Sequence, residues 1–347
     1  MNPAERALSR GARGACPSQE ATPPAGTHVL CVAPMMAWTD RHCRAFHRVL
    51  APHARLYTEM VTADAVLHGP AERLLAFDPS EHPVALQLGG SEPGALARCA
   101  ALAQERGFDE INLNVGCPSP RVQRGAFGAC LMLEPRRVAA CLAAMRDACA
   151  VPVTVKCRLG VDGHDDYPFL RDFVGACVDA GVNTFAVHAR IAALSGLSPA
   201  QNRTVPPLRY GRVRRLKQEF PGLAVVLNGG IRDTAAAVEA LSWADGVMVG
   251  RGAYRNPWWL ARLEQELFGT DLPAGPHAVL ERYIAEYVEG ALAGGVRLQD
   301  IARHLLGLFN GMPGARAWRR HLSEEARRPG AGVDVLAAAA HRLPEAA

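Results

Sequence analysis

Asp109-Glu110-Ile111-Asn112-Leu113-Asn114-Val115-Gly116-Cys117-Pro118-Ser119 alternates polar residues with Ile111 and Leu113, then breaks at Gly116 and Pro118. Alternation of this kind reads as a short strand, and the glycine and proline that follow end it in a turn. A cysteine is thereby held in the loop after a strand. Rigid scaffolds place chemistry in such loops, and a thiol there serves as nucleophile, metal ligand or proton donor. Cysteine is also among the most frequently buried residue types, so the residue alone does not separate function from packing. The other strand ends of the chain do.

Working outward, eight short β-type runs are visible: Val29–Ala33, Leu56–Met60, Pro83–Leu88, Asp109–Asn114, Pro152–Cys157, Asn183–Ala189, Ala224–Asn228 and Asp245–Val249. Between them lie stretches with helical spacing, among them Pro93–Arg106, Pro135–Ala148, Tyr167–Ala180, Val213–Glu219 and Thr234–Ser242. Strand–helix alternation repeated this way predicts a parallel α/β fold, and its size matches a (β/α)8 TIM barrel. An open doubly wound sheet has less support, because no Gly-x-Gly-x-x-Gly fingerprint follows an early strand.

In a TIM barrel the active-site groups come from the C-terminal ends of strands. Here those ends carry Pro34-Met35-Met36, Glu59, Gln87, Asn114 with Cys117, Lys156 with Arg158, His188 with Arg190, Asn228-Gly229-Gly230, and Gly250-Arg251. Each has an ordinary structural explanation when taken singly. Together they bring many polar groups to one mouth, where they stay unsatisfied without a ligand. Glycines after the seventh strand and Gly250-Arg251 after the eighth suit a phosphate, since backbone N–H groups approach closely and an arginine supplies charge. The reading is a barrel that holds a phosphorylated cofactor.

Composition sets outer bounds. The 347 residues are 49% hydrophobic and 21% charged, ordinary for a globular enzyme, and the net charge of +4 does not by itself mark a nucleic-acid binder. Ten cysteines include no Cys-x-x-Cys pair, which argues against structural zinc or an iron–sulfur cluster. We expect reduced thiols, no metal, no membrane span and a cytoplasmic protein. Residues 1–27, rich in Ala, Gly, Pro and Ser, are expected to be a disordered N-terminal tail.

Two further stretches carry positive charge. Residues 190–212 form a long insertion beside the mouth, with Arg190, Arg203, Arg209 and Arg212, and are expected to be a structured basic loop. After Trp258-Trp259 the β pattern gives way to amphipathic helices at Pro276–Ala293 and Leu298–Phe309, then a third helix carrying Arg316, Arg319 and Arg320 on one face. A helix face of this type is commonly only solvated. Directed at the mouth, it suits a phosphate backbone.

The sequence closely resembles the flavin-dependent tRNA-dihydrouridine synthases, and within them the DusA-type branch. The resemblance runs through Ala33-Pro34-Met35, Trp38-Thr39-Asp40-Arg41, Tyr57-Thr58-Glu59-Met60, Gln87-Leu88-Gly89-Gly90, Asn112-Leu113-Asn114-Val115-Gly116-Cys117-Pro118, Val155-Lys156, His188-Ala189-Arg190, Asn228-Gly229-Gly230 and Gly250-Arg251. It spans residue 28 to about 325. The resemblance implies an FMN-binding TIM barrel catalytic domain over 28–262 and a helical tRNA-binding domain over 263–347. It also implies reduction of uridine in the D-loop of tRNA, at positions 20 and 20a, with NADPH as reductant. By the same resemblance Cys117 is the general acid, and Pro34, Met35, Met36, Gln87, Lys156, His188, Asn228, Gly229, Gly230, Gly250 and Arg251 hold FMN. Asn114, Asn202, Arg203 and Arg316 contact a tRNA whose target uridine is flipped out, and the protein is expected to act as a monomer.

The chain departs from the family pattern at Ile191 and Ala193, where a lysine and a tryptophan are usual. It departs again at Cys157, in place of a common threonine, which is expected to add a second thiol near the flavin. Two alternatives stand beside this reading: an FMN-dependent reductase of a free pyrimidine or other small enone, and a catalytically silent RNA-binding barrel. The basic insertion and helix oppose the first, and retention of Cys117 with the flavin-contact residues opposes the second.

Overall fold

The computed structural model describes residues 28–343. The tail expected at 1–27 lies outside them. Strands β1 (Leu30–Val32), β2 (Arg55–Tyr57), β3 (Val61–Thr62), β4 (Val84–Gly89), β5 (Glu110–Val115), β6 (Val153–Arg158), β7 (Thr184–His188), β8 (Ala224–Asn228) and β9 (Gly246–Val249) form one all-parallel sheet. β1 pairs with both β2 and β9, and β2 pairs with β4, so the sheet closes into a TIM barrel of eight staves. β3 is a two-residue extension that runs on from β2 along β4. All eight strands expected from the sequence are present. The extra one is too short to leave a pattern.

Side chains alternate along each stave. The outward set, including Leu30, Leu56, Leu86, Ile111, Leu113, Val155, Cys157, Phe185 and Val247, joins the helices in one continuous core. The inward set forms layers. Its middle is small or apolar, with Cys31, Ala33, Tyr57, Ala85, Ala186, Val226 and Met248. Buried polar residues lie to either side of it, Arg55 and Glu110 towards the strand starts and Gln87, Asn114 and Asn228 towards the strand ends.

Helix starts follow local chemistry. Pro93, Pro135, Pro257 and Pro276 occupy first-turn positions, where a missing N–H costs nothing. Asp40, Asp166 and Asp233 cap their helices by accepting from the N–H of the residue three further on.

The C-terminal helical segment is pinned to the barrel through the helix Arg41–Leu50. Tyr283 donates to the His42 carbonyl at 2.9 Å, and Tyr287 Oη lies 2.7 Å from His42 Nδ1. A π-turn at Ile284–Val288 brings Tyr283 and Tyr287 into a stack with centroids 5.5 Å apart. Arg303 and His304, from the helix Leu298–Leu305, both bond Asp40, and Arg303 also reaches the Ala37 carbonyl at 3.2 Å. The helix Pro257–Phe268 runs unbroken through position 262, and its Glu264 bonds His53 at 2.6 Å. No helix among the described residues is long and apolar enough to cross a membrane, and none of their acidic, histidine and cysteine side chains cluster as a metal site would require.

Candidate active site and nucleic-acid interface

A cavity of about 460 Å3 opens at the C-terminal ends of the strands. That volume lies within the roughly 300–1,000 Å3 usual for ligand pockets. Pro34, Met35, Met36, Gln87, Asn114, Cys117, Lys156, His188, Arg203, Asn228, Gly229, Gly230, Gly250 and Arg251 all line it. The period of two along β6 sends Lys156 and Arg158 inward together. β7 does the same for His188, with Arg190 just beyond the strand end.

Six cations line the cavity: Lys156, Arg158, Arg190, Arg203, Arg232 and Arg251. Among the described residues lining it there is no Asp or Glu. Burial, reinforced by the nearby Arg158, pushes Lys156 down to about 8, so it stays largely charged at neutral pH. Its Nζ donates to Asn228 Oδ1 at 3.1 Å, and Asn228 in turn donates to the Met248 carbonyl at 2.7 Å. Burial and the charges of Arg158, Lys156, Arg190 and Arg251 hold His188 well below the usual histidine range. It is a neutral imidazole. Its Nδ1 is buried without a partner, and so are Nε and Nη1 of Arg190. Orphaned polar atoms of this kind mark a place where a ligand completes the hydrogen bonding.

Two glycines shape the same wall. Gly229 and Gly230 have φ of +107° and +82°, in the left-handed region that disfavours side chains. A Cβ on Gly229 would meet His188 Nε2 at 3.1 Å, and one on Gly230 would meet Leu208 Cδ1 at 2.4 Å. Tyr210 fixes the turn by donating to the Gly229 carbonyl at 2.7 Å. Cationic side chains, orphaned donors and a close-approach glycine turn fit the phosphate and polar ring edge of FMN.

Cys117 lines the same cavity. The turn that carries it is held by Asn114, whose Oδ1 accepts from the N–H groups of Gly116 at 3.1 Å and Cys117 at 3.0 Å. Gly128, with φ of +75°, packs beneath it; a Cβ there would lie 2.7 Å from the Cys117 carbonyl. Arg158 clamps the same turn from the side. It donates to the Gly116 carbonyl and to the carbonyls of Ile191 and Asn202, each at 2.9 Å. Cys117 also borders a second cavity of about 550 Å3, which shares Met36, Met60 and Ser119 with the first and adds Arg41, Arg73 and Arg121.

Several expectations change. Asn202 is fully buried, and its amide is spent on Ala193, Leu197 and Ser198 within the insertion, so it shapes that loop and presents nothing to a ligand. Asn114 does line the cavity, yet its bonds to Gln87 and to the Cys117 turn make it a bracket for the thiol. Cys157 is not beside the cavity. It points outward into the core, fully buried, and desolvation pushes its thiol up to about 12. Arg316 does not line the cavity; it, Arg319 and Arg320 are exposed on the helix Ala315–Glu325, whose buried face is Ala315, Trp318 and Leu322. Residues 190–212 are structured, as expected: Gln123 bridges the Pro118 and Leu194 carbonyls, and Arg209 pairs with Asp165. Arg158 and Arg190 were visible at strand ends without an assigned part. Their inward register with Lys156 and His188 was the signal.

This site, on a barrel with these strand ends, is the kind found in flavin-dependent barrels. The family model described as dihydrouridine synthase (Dus) matches residues 31–343, and the chain belongs to that family. Curated relatives named tRNA-dihydrouridine(20/20a) synthase include one from Xanthomonas axonopodis pv. citri, 59% identical over 90% of this chain and 93% of the relative. Those from Vibrio parahaemolyticus, 54% identical over 91% and 97%, and Escherichia coli, 55% identical over 88% and 88%, are similar in the same way. Among solved structures, morphinone reductase shares the barrel, with a TM-score of 0.50 and 14% identity over 72% of this chain and 88% of that one.

Proposed function

We propose that this protein reduces uridine to 5,6-dihydrouridine in the D-loop of tRNA, at positions 20 and 20a as its relatives' names state, using FMN that NADPH re-reduces. The observation that carries the reading is the cationic cavity, whose lining holds no Asp or Glu among the described residues, with His188 and Arg190 unsatisfied and Cys117 in the same lining. Gly229, Gly230, Gly250, Arg190 and Arg251 hold the phosphate, while Gln87, Lys156, His188, Asn228 and the Pro34-Met35-Met36 turn hold the ring. When bound, reduced FMN supplies the hydride that goes to C6 of the uracil.

The chain's own part in the chemistry is the proton. Cys117 Sγ–H gives its proton to C5 and recovers one from water before the next turnover. Lys156, charged at neutral pH in the same cavity, would supply a positive charge towards a bound flavin. Two hydrogen bonds hold the Met35 turn in shape, Thr39 Oγ1 accepting from Met35 N–H at 2.9 Å and Glu59 accepting from Ala37 N–H at 2.5 Å. Arg158 and Asn114 keep the thiol at the junction of the two cavities, so a base extruded from the polynucleotide would reach it from the second, which Arg41, Arg44, Arg73 and Arg121 line together with Asp40 and Glu59.

A reductase of free pyrimidines or small enones would use the first cavity equally well. The second cavity and the exposed Arg316, Arg319 and Arg320, which have no ion-pair partner among the described residues, favour a polynucleotide. The test is turnover. Purified protein should show a flavin absorption band and form dihydrouridine from unmodified tRNA with NADPH, and not from free uridine. A colourless protein that binds tRNA would replace this reading with a silent binding barrel, and preference for free uridine would replace it with the small-molecule reductase.

A further inference from the structure

Glu110 lies at the base of the barrel, fully buried, on the same strand as the turn that carries Cys117. A continuous run of hydrogen bonds joins the two. Thr154 Oγ1 donates to Glu110 Oε1 at 2.5 Å, and Asn112 Nδ2 donates to Thr154 Oγ1 at 2.8 Å. Gln87 Nε2 donates to Asn112 Oδ1 at 2.7 Å, and Asn114 Nδ2 donates to Gln87 Oε1 at 2.8 Å. Asn114 Oδ1 then takes the Cys117 N–H at 3.0 Å. Every donor points towards Glu110.

That polarity has a cause at each end. A carboxylate only accepts and a backbone N–H only donates, whereas a threonine hydroxyl and a primary amide can do either. Tyr57 Oη also donates to Glu110 Oε1, at 2.9 Å, while His28 at 2.7 Å and Arg55 at 3.3 Å occupy Oε2. Thr154 must therefore donate downward, which leaves its lone pair for Asn112. Asn112 must turn its oxygen to Gln87, and Gln87 must turn its oxygen to Asn114. Asn114 is left with its oxygen free for the Cys117 turn.

We infer that Glu110 is a positioning residue for Cys117, acting through Thr154, Asn112, Gln87 and Asn114 to hold the thiol's turn in one orientation. The importance of Cys117 to catalysis rests on the function proposed above; the run of hydrogen bonds does not. Gln87 is the shared member, since the same amide that passes the polarity upward also faces the cavity. A hydrogen-bonded run of this length is worth more intact than its links taken singly, because each member polarises the next.

The test breaks the run at its link next to Glu110, away from the cavity, and reads the thiol directly. Iodoacetamide modification of Cys117, followed by mass spectrometry of its peptide in the full chain, needs neither flavin nor tRNA. Thr154→Val removes the hydroxyl at nearly constant shape. It should raise the Cys117 modification rate by about 2- to 10-fold, the worth of one net hydrogen bond. Thr154→Ser should return the rate to that of the parent. Thr154→Ala reads the same way if the valine variant does not fold. A purely structural threonine would lower the unfolding midpoint and leave Cys117 reactivity unchanged, and a Val or Ala variant with the parent's rate overturns the inference. Either result stands apart from whether the protein reduces tRNA.

Discussion

The two ends of the barrel bury charge in opposite ways. At the base, Glu110 is surrounded by His28, Arg55, Tyr57 and Thr154, and burial, which alone would raise its pKa, is outweighed by His28, Arg55 and the Thr154 hydroxyl, so the carboxyl is held low. At the mouth, Lys156, Arg158, His188, Arg190 and Arg251 converge with no acid among them, and His188 and Arg190 keep unsatisfied atoms. The base is electrostatically complete and the mouth is not. A folded protein tolerates uncompensated charge where a ligand supplies the counter-charge, and perturbed groups cluster at such sites. The difference separates charge paired within the barrel from charge that the described residues leave unpaired.

Cys117 gives the largest expected effect. Cys117→Ala should bind FMN and accept hydride from NADPH at the parent's rate, yet lose about 10²–10⁴ in tRNA reduction, the usual worth of a positioned acid. Stopped-flow flavin reduction and single-turnover tRNA reduction separate the two halves. Equal loss in both would make the cysteine part of the scaffold.

The contrast between the ends is sharpened by paired stability measurements on flavin-free protein. Glu110→Gln should cost about 3–5 kcal/mol, because His28 and Arg55 lose the charge they face. Arg190→Met at the mouth should be neutral or stabilising, since it removes a buried charge for which the described residues provide no acidic partner. Comparable losses from urea unfolding of both variants would erase the distinction.

Lys156 makes the same point through pH. Its folded pKa of about 8 lies below the ordinary 10.5, so between those values the unfolded chain binds a proton that the folded chain has released. Stability of the flavin-free protein should therefore rise with pH across that window, and fall back as pH drops towards 8. Lys156→Met should abolish this component, seen as the difference between the two urea-midpoint curves. Parallel curves would mean that the lysine is solvated.

The smallest effect is on the helical segment. Arg316→Ala should weaken tRNA binding uniformly and lower the magnitude of the log-affinity against log-salt slope by about 0.7–0.9. Flavin reduction should be unchanged. A salt titration that overlays the parent curve would return this helix face to simple solvation.

How much of this was legible follows from what each residue packs against. Buried parallel strands read as apolar runs, so all eight staves and most of the cavity-lining residues at their ends were visible. The helix Arg41–Leu50 was not among the helices expected, although Cys43, Phe46 and Leu50 recur on it at helical spacing behind the Asp40 cap; what the sequence does not show is that His42, Arg44 and His47 are buried on it as well. The position of Cys157 was legible in principle: it sits one residue from Lys156, and a period of two puts them on opposite faces. Asn202 was beyond reach, since a polar residue in a polar loop does not announce that its amide is turned inward. Nor does the sequence show that Glu110, at the start of the strand that ends in Cys117, is tied to that turn through side chains on two other strands.

The most direct test of the central claim is position-resolved mapping of dihydrouridine in tRNA from cells with and without this gene. The account predicts loss of the modification at positions 20 and 20a, restored by the parent gene and not by Cys117→Ala. Unchanged dihydrouridine at both positions, or loss confined to other sites, would contradict it.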